Sequence, residues 1–363
     1  MLYDGRVIAI CGPIAERGVP ASGGYEAANQ RLHRAICNRG WSCVLFAYPS
    51  VKNLNAFLKS VSYAAFFMRM FCALRKLPLG SVLHFTPLCR QFILPELLIA
   101  LFARKRCSRI IIDLRAGRKD VDFRRFGCFY QFIFRRLIDF ADVVTVEGRR
   151  YIQFIHDLRP SVPVHYLPNF LNDDELPIEL VQRSRGPVHF TYVGSVNFAK
   201  GVDHAIKLVA GVAAQNIEVR LDLFGPIDPK IKSRLEALAS KYDWIVLHGA
   251  RPFEVIRASL ANADFFIFLT AWKGEGHSNA LTEAMSQGAI PIVTDHGFNK
   301  DVVGALGILV EERDFLEGAV HKAASLIRDI NTRSRQSAAL LNRTTQKFSE
   351  SAITKTLEQI YFK

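Results

Sequence analysis

The chain has 363 residues, half of them apolar, and a formal net charge of +13. This length and apolar content predict two domains with large buried cores. The longest apolar stretch, Phe92 to Ala103, contains Pro95 and Glu96 and falls short of the roughly 20 residues that cross a bilayer, which excludes it as a membrane span. The run Val7–Ile10 is too short for a signal peptide, so the sequence predicts a cytoplasmic protein.

The positive charge lies entirely in the first half. Residues 1–170 hold 25 Lys and Arg against 11 Asp and Glu, a net charge of +14, whereas residues 171–363 hold 22 against 23, a net charge of −1. All seven cysteines also lie in the first half, without a CxxC pair or metal-ligand spacing, which predicts free thiols in a reducing compartment. Halves that differ this much predict two domains with different partners.

The first half has the pattern of a Rossmann-like unit. A strand from Arg6 to Cys11 leads into a loop with Gly23 and Gly24, then a helix from about Tyr25 to Asn38 and a strand from Trp41 to Ala47. Strand, glycine loop and helix in this order are typical of such units. Further buried parallel strands are predicted at Ser81–Phe85, Arg109–Asp113 and Val143–Val146.

The second half repeats the alternation after a predicted linker at 159–187, which holds five prolines. Its strands are predicted at Val188–Val193, Glu218–Phe224, Ile245–His248, Phe265–Leu269 and Ala289–Val293. The last segment, about Ser334 to Tyr361, is helical and is predicted to pack back on the first domain. We therefore predict an α/β fold with a first domain over 1–170, a second over 186–340 and a C-terminal helix over 341–363.

The stretch GEGHSNALTEAMSQG, residues 274–288, follows a predicted buried strand. Ser278 suits a helix N-cap and Gly288 a helix end, with a helix between them. Glu275 lies in the loop at the carboxyl end of the strand, where open α/β sheets bind ligands, and Glu283 lies on the helix four residues after Asn279. The helix N-terminus suits a phosphate. The alternative is a capped helix with exposed acids.

A second pattern, YVGSVNFAKG at residues 192–201, combines a strand end, Gly194, and a lysine just before a helix. Lys200 is suited to hold a phosphate as a point charge. Alone the pattern is weak, because a lysine before a helix is usually only solvated.

Together these residues resemble glycosyltransferase family 4, the retaining nucleotide-sugar enzymes of GT-B architecture. The family signature, a Glu-x7-Glu motif, is matched by EGHSNALTEAMSQG. The resemblance extends to YVGSVNFAKG, to Leu167–Phe170, to the Gly23-Gly24 loop and to Asp295–Gly297. It is tight in the second half and loose in the first.

The resemblance implies two Rossmann-like domains facing across a cleft that closes over the donor. Glu275 would contact the donor sugar, Glu283 the ribose, and Lys200 the diphosphate as it leaves. Backbone amides of Ser278 to Ala280 would share the stabilisation of that charge. The full predicted set for donor binding is Gly23, Gly24, Gly194, Ser195, Lys200, Glu275, Gly276, His277, Ser278, Asn279, Ala280 and Glu283.

The sequence departs from the family at two places. Ser195 stands where the family commonly has an arginine, so one of two phosphate cations is missing. Many members also have a histidine where this chain has Ile111 to Arg118, and Asp113 or Arg115 would occupy that space. Both are candidate catalytic residues, and Arg115 would also contact the acceptor or supply the missing charge; the alternative is a strand end and solvated loop. His84 is a candidate acceptor residue or, equally, a buried hydrogen-bonded histidine.

The resemblance implies an enzyme without a metal or other cofactor, because lysine and the helix terminus take the cation's place. The only literal Asp-x-Asp match, Asp120-Val121-Asp122, lies in the basic half, away from the donor motif.

Basic and aromatic residues alternate over Leu54–Lys76 and Phe123–Phe140. This composition suits contact with an anionic membrane at its inner face; the alternative is core-facing helices with a solvated basic side. Nucleic acid is not expected as a partner.

The sequence thus predicts a retaining glycosyltransferase. It would move a sugar from a nucleotide diphosphate to a saccharide acceptor, lipid-linked, for cell-envelope or exported polysaccharide. The alternative is a non-catalytic GT-B protein that binds a nucleotide or glycan or scaffolds a partner enzyme, which the two departures favour.

Overall fold

The computed structural model describes residues 6–15, 21, 23–49, 51, 54–182, 186–311 and 316–363. The chain forms two compact units. The first unit takes in the chain up to Asn172 together with Ile353–Lys363, and the second takes in Asp173–Ala352.

Each unit is built on one parallel sheet of six strands. The strands of the first unit are β1 (Ile8–Gly12), β2 (Cys43–Ala47), β3 (Ser81–Phe85), β4 (Cys107–Leu114), β5 (Val143–Val146) and β6 (Val164–Tyr166). Those of the second are β7 (Val188–Val193), β8 (Val219–Phe224), β9 (Ile245–Gly249), β10 (Phe265–Phe268), β11 (Ile290–Thr294) and β12 (Ile308–Val310). The α/β class with two parallel sheets is confirmed.

Helices connect the strands, as parallel pairing requires. In the first unit they are α1 (Gly24–Asn38), α2 (Ala56–Leu74), α3 (Ile93–Ala103), α4 (Lys119–Arg125), α5 (Cys128–Asp139) and α6 (Arg150–Leu158). They continue with α7 (Val202–Ala213), α8 (Lys232–Lys241), α9 (Phe253–Asn262), α10 (Asn279–Ser286), α11 (Asn299–Val303), α12 (Glu317–Arg328), α13 (Ile330–Phe348) and α14 (Glu350–Phe362).

The first sheet has the strand order β2-β1-β3-β4-β5-β6. Leu357, Ile360 and Tyr361 of α14 pack in the same core cluster as Ile10 of β1 and Leu32 of α1. The end of the chain therefore completes the core on one face of the first sheet, which confirms that the C-terminal helix packs on the first domain.

The second sheet has the order β12-β11-β10-β7-β8-β9. From β7 the chain winds outward through β8 to β9, then returns to the other side of β7 with β10. The strand order therefore reverses between β7 and β10, and open α/β sheets bind ligands at such a switch point, outside the carboxyl ends of the strands.

Three details of the sequence prediction were wrong. The predicted linker at 159–187 contains β6, which pairs with β5, because a three-residue edge strand between prolines gives no periodic signal. The strand β12 was not predicted, because it too has only three residues. The segment predicted as one C-terminal helix is two, because Ser349 is extended (φ −99°, ψ 160°) and its hydroxyl accepts from the Ala352 N–H.

Helix α2 is long and apolar enough to cross a membrane by length and composition. The sequence prediction weighed only Phe92 to Ala103 and passed over this helix. Within the described residues it is the one such helix, and 17% of its most apolar 18-residue stretch is buried in the folded protein.

Candidate functional site

The switch point of the second sheet brings two predicted site residues together. The strands β7 and β10 pair in parallel, with Phe265 opposite Phe190. The loop after β7 carries Lys200 and the loop after β10 carries Glu275. Because both loops leave neighbouring strands at the same edge of the sheet, the fold itself makes the two side chains neighbours.

The loop after β7 is fixed in place on both sides of the lysine. The Asn197 carboxamide oxygen accepts from the Lys200 N–H at 2.9 Å. Gly201 has φ +82°, and a Cβ there would lie 2.0 Å from the carbonyl oxygen of Leu269, the residue that follows β10. Only glycine allows this approach, so the loop is pressed against the end of β10.

Lys200 and Glu275 form an ion pair. The ammonium lies 2.5 Å from Glu275 Oε2, with the two side chains 21% and 10% exposed. The Thr270 hydroxyl donates to the same carboxylate oxygen at 3.1 Å. The carboxylate is thus held by a buried hydroxyl and is nearly buried itself, while the ammonium of Lys200 keeps more contact with solvent.

The backbone of the loop that carries Glu275 is also held. The Glu275 N–H donates to the Trp272 carbonyl at 2.9 Å, and the His296 ring lies 2.8 Å from that same oxygen. Gly297 has φ +62°, and a Cβ there would come within 2.7 Å of the Glu275 carbonyl oxygen. The predicted Asp295–Gly297 segment therefore packs directly against the loop.

The predicted helix after this loop forms as α10. The Ser278 hydroxyl accepts from the Leu281 N–H at 3.4 Å, and Gly288 lies just past the end with φ +72°. Both were predicted from the sequence. The N-terminus of α10, at residues Ser278 to Ala280, carries the partial positive charge of a helix start, which suits an anion. Glu283 lies half-buried one turn further on.

His277 of the motif is buried and used internally. Its Nε2 lies 2.7 Å from the Thr282 hydroxyl, and its ring packs edge-on against Phe348 at 5.3 Å. Gly276, before it, is buried as well. His277 thus orients the start of α10, and its contact with a donor stays a prediction.

Ser195, at the missing arginine position, is exposed, and its carbonyl accepts from the Tyr192 hydroxyl at 2.8 Å. Gly194 beside it packs against Gly225, where glycine is required because a Cβ on Gly225 would lie 1.9 Å from the Gly194 carbonyl oxygen. The structure adds one cation that the sequence did not indicate. Arg234 of α8 lies 5.2 Å over the ring of Phe198, in the same loop as Lys200.

Three residues predicted in the first unit, His84, Asp113 and Arg115, form a buried network. Asp113 ends β4 and is fully buried; it accepts from Arg115 Nε at 2.5 Å and from Thr145 at 2.8 Å, and His84 Nε2 lies 3.4 Å away. Burial alone raises the pKa of a carboxyl, but Arg115, His84 and Thr145 outweigh it and hold the pKa of Asp113 well below its usual range.

His84 shows the second of its two predicted alternatives. It is fully buried, and its Nδ1 lies 2.9 Å from the Tyr361 hydroxyl of α14. Arg115 is 2% exposed and bonds Asp113 and Asn169, while its buried Nη2 has no hydrogen-bond partner among the described residues. That one nitrogen is where Arg115 could still receive a ligand oxygen. The catalytic roles of Asp113 and Arg115 and the acceptor role of Arg115 stay predictions.

The glycine loop of the first unit shows no close approach. Gly23 caps α1 with an extended backbone, and a Cβ there would meet nothing within 4 Å. Gly24 is the first residue of the helix. Open space at Gly23 is compatible with a ligand, and the donor contact of both glycines stays a prediction.

The carboxylates of the Asp-x-Asp segment are paired with arginines. Asp122 accepts from Arg90 at 2.7 Å and from Arg118 at 2.9 Å, and Asp120 accepts from Arg124 at 2.9 Å. In the part of the chain that the structure describes, no three His, Cys, Asp or Glu side chains cluster as metal ligands would. Both carboxylates of the segment therefore form ion pairs with arginines.

Residues 187–329 match the family model described as Glycosyl transferases group 1. The matched segment holds Lys200, Glu275 and Glu283 but is less than half of the chain. No curated protein matches the sequence.

Solved glycosyltransferase structures share the fold over nearly the whole chain. A sucrose-phosphate synthase from Thermosynechococcus elongatus gives a TM-score of 0.71 at 16% identity, covering 98% of both chains. The lipopolysaccharide outer core galactosyltransferase WaaB gives 0.67 at 16% identity, again over 98% of both. HepE from Anabaena, in complex with UDP and glucose, gives 0.66 at 12% identity and 98% coverage of both. At these identities the likeness establishes the GT-B fold.

Proposed function

We propose that this protein is a retaining glycosyltransferase of the family 4 type. It would transfer a sugar from a nucleotide diphosphate to a saccharide acceptor, lipid-linked, in cell-envelope or exported polysaccharide synthesis at the cytoplasmic side of a membrane. The observation that carries the proposal is the Lys200–Glu275 pair at the switch point of the second sheet, followed directly by the N-terminus of α10.

The donor would be bound through its charges. Lys200 and the N–H groups at the start of α10 together offer a positive seat for the diphosphate. On diphosphate binding the ammonium would turn from Glu275 to the phosphate, which would release the carboxylate to accept from sugar hydroxyls. Glu283, half-buried on α10, would bind the ribose hydroxyls. HepE, bound to UDP and glucose, supports a donor of this class.

The missing positive charge at Ser195 has a substitute within the second unit. Arg234 lies over Phe198, two residues before Lys200, and its guanidinium is exposed. We propose that it adds the second cation for the diphosphate, with Arg115 as the alternative named from the sequence. Lys200 and Arg234 would then hold the charge without a metal ion.

The reaction would proceed on one face of the sugar. With the donor bound, Glu275 would stay bonded to the Thr270 hydroxyl and would accept from the sugar hydroxyls, which does not suit a free nucleophile for double displacement. The acceptor hydroxyl would attack the anomeric carbon as the bond to the diphosphate breaks, and the departing phosphate oxygen would take the hydroxyl proton. Lys200 stabilises the charge that develops on the diphosphate.

Donor binding and turnover test the proposal. Purified protein is titrated calorimetrically with UDP, GDP and ADP and incubated with their sugars, following slow donor hydrolysis and the anomeric configuration of products by NMR. Glu283→Ala should weaken binding of the preferred nucleotide about 10-fold or more, because hydrogen bonds to a charged group are lost. Glu254→Ala, on the exposed side of α9, is the matched control and should bind like the wild type.

Three outcomes would count against it. If no nucleotide binds, the donor site is wrong. If a nucleotide binds but no donor sugar is hydrolysed, the non-catalytic GT-B alternative, which Ser195 favours, replaces the enzyme. A product of inverted configuration would leave glycosyl transfer but remove the retaining mechanism.

A further inference from the structure

Three neighbouring helices of the first unit share one layer. They are α2, α3 and α5, which connect β2 to β3, β3 to β4 and β4 to β5, and α3 contacts both of the others. Crossovers that proceed in the same direction along a parallel sheet lie on the same face of it. Their inner sides are buried, as at Met70, Ile99 and Phe134. The outer sides of such a layer are polar in most water-soluble proteins.

Here the outer sides are apolar. Phe57 and Met68 of α2 are 74% and 64% exposed, and Phe129 of α5 is 68% exposed. Nine of the 19 exposed large apolar side chains of the described chain lie on these three helices. These nine residues form what we call the apolar face: Phe57, Leu58, Val61, Met68, Leu94, Leu98, Leu101, Phe129 and Phe132.

The spacing shows that the exposure follows from helix geometry. Leu94, Leu98 and Leu101 are separated by four and three residues, so they form one stripe along α3. Phe57, Val61 and Met68 form the corresponding stripe on α2. Soluble monomers rarely expose contiguous apolar surface of this kind unless something binds to it.

The charge around the apolar face identifies the partner. Exposed basic side chains on the three helices or directly after their ends are Arg69, Arg75, Lys76, Arg104, Lys105, Arg135 and Arg136, of which Arg104 pairs with Asp142 at 2.9 Å. The three helices, which are fully described, contain two acids: Glu96 is buried, and the exposed Asp139 lies 3.5 Å from Arg136. Apolar side chains ringed by cations fit an anionic lipid surface, where rings enter the interface and cations meet phosphates.

We propose that the apolar face docks the first unit on an anionic bilayer surface, with α2 lying in the interface. Helix α2 is long and apolar enough to span a membrane. One side of it is buried against the first unit at Phe67, Met70 and Leu74, which favours a helix that lies on the membrane surface. The inference rests on the proposed function for the identity of the acceptor. It deepens that function because it names the bilayer surface on which the protein would meet a lipid-linked acceptor. Membrane binding is measurable without any sugar transfer.

Vesicle binding by the full chain is the first test. The protein should co-sediment with vesicles of phosphatidylcholine and phosphatidylglycerol, bind weakly to phosphatidylcholine alone, and dissociate partly between about 50 and 500 mM salt, because screening shortens the reach of exposed charges. The combined variant Phe57→Gln, Met68→Gln and Phe129→Gln should bind about 10-fold less, because buried apolar area is lost. The matched control changes three exposed apolar residues of the second unit: Ile178→Gln, Val255→Gln and Ile330→Gln.

Native cysteines can show which helices of the first unit contact the lipid. Cys72 on α2 and Cys128 on α5 are exposed, as is Cys37 on α1, outside this layer. Variants that keep one of the three, with the other two changed to serine, are labelled with a polarity-sensitive fluorophore. On anionic vesicles the emission should shift to the blue at Cys72 and Cys128 and stay unchanged at Cys37.

Several results would overturn the proposal. These are no binding at low salt, equal binding by the apolar-face variant and its control, or a blue shift at Cys37 alone. Sedimentation as a dimer that the apolar-face variant abolishes would identify a second copy as the partner instead. Resistance to alkaline carbonate extraction would show a spanning α2. Donor hydrolysis should be the same in the apolar-face variant and the wild type, so failure here leaves the proposed function standing.

Discussion

The two units each place a close ion pair at the carboxyl end of a strand, and the pairs differ in exposure. Asp113–Arg115 in the first unit and Lys200–Glu275 in the second both join their charges at 2.5 Å. The first pair is 0% and 2% exposed and is surrounded by His84 and Thr145, whereas the second is 10–21% exposed. Breaking a fully buried ion pair leaves an uncompensated buried charge, whereas a pair that keeps some exposure to solvent can exchange a partner for a ligand.

The largest expected effect is on stability. Asp113→Asn should lower the free energy of unfolding by about 3–5 kcal/mol, because the buried Arg115 loses its counter-charge. Urea unfolding measures it. Asp139→Asn, an exposed aspartate of α5, is the control and should change stability by about 0.5 kcal/mol or less. Comparable small losses in both variants would mean that Asp113 is accessible to water.

The same pair gives a pH dependence. Because the folded protein lowers the pKa of Asp113, the unfolded chain takes up the proton first as the pH falls. The stabilisation is complete above the pKa of an unfolded aspartate, about 3.9, and is lost as the pH falls through the folded pKa. The stability gap between the wild type and Asp113→Asn should therefore narrow below about pH 4. A gap that stays constant to pH 3 contradicts the lowered pKa.

For the Lys200–Glu275 pair we expect a large effect on activity and a small effect on stability. Lys200→Ala is expected to slow sugar transfer about 10²–10³-fold, because the diphosphate loses its principal cation. Its unfolding free energy should change by only about 1 kcal/mol, because the pair is partly solvated. Steady-state kinetics and urea unfolding measure the two effects, with Lys207→Ala, an exposed lysine of α7, as the control. A destabilisation as large as that of Asp113→Asn would show that the second pair is structural too.

A smaller effect on sugar transfer should show whether the Thr270 hydroxyl orients Glu275. Thr270 is 1% exposed, and its hydroxyl donates to Glu275 and accepts from the Trp272 N–H at 3.1 Å. Thr270→Val therefore removes both hydrogen bonds with little change of volume. We expect transfer to fall about 10-fold, since a hydrogen bond to a charged group contributes 1.5–3 kcal/mol. Thr270→Ser should restore most of the rate. If serine and valine behave alike, the hydroxyl does not orient Glu275.

The smallest effect concerns the end of the chain. Tyr361→Phe removes the hydrogen bond between α14 and His84, which should cost about 1 kcal/mol of unfolding free energy. Thermal unfolding should detect the shift, while sugar transfer stays at the wild-type rate. A marked loss of transfer would mean that the buried network of Asp113 acts on the reaction.

Much of the second unit was predictable because local signals and fold agree. Ser278 and Gly288 bound α10 as expected, since capping and helix termination depend on a few adjacent residues. Thr270 could have been found as well, because it follows a buried strand at the end where ligands bind. Arg234 could not, since its position over Phe198 depends on how α8 packs.

The sequence by itself determined the α/β class, the two motifs and the uneven charge of the halves, because periodicity, capping residues and composition are local properties. Only the tertiary structure decided that Lys200 meets Glu275, that Arg115 is enclosed with Asp113, and that α3 joins α2 and α5 in one apolar face. These depend on strand order and on helix packing, which bring together residues far apart in the chain.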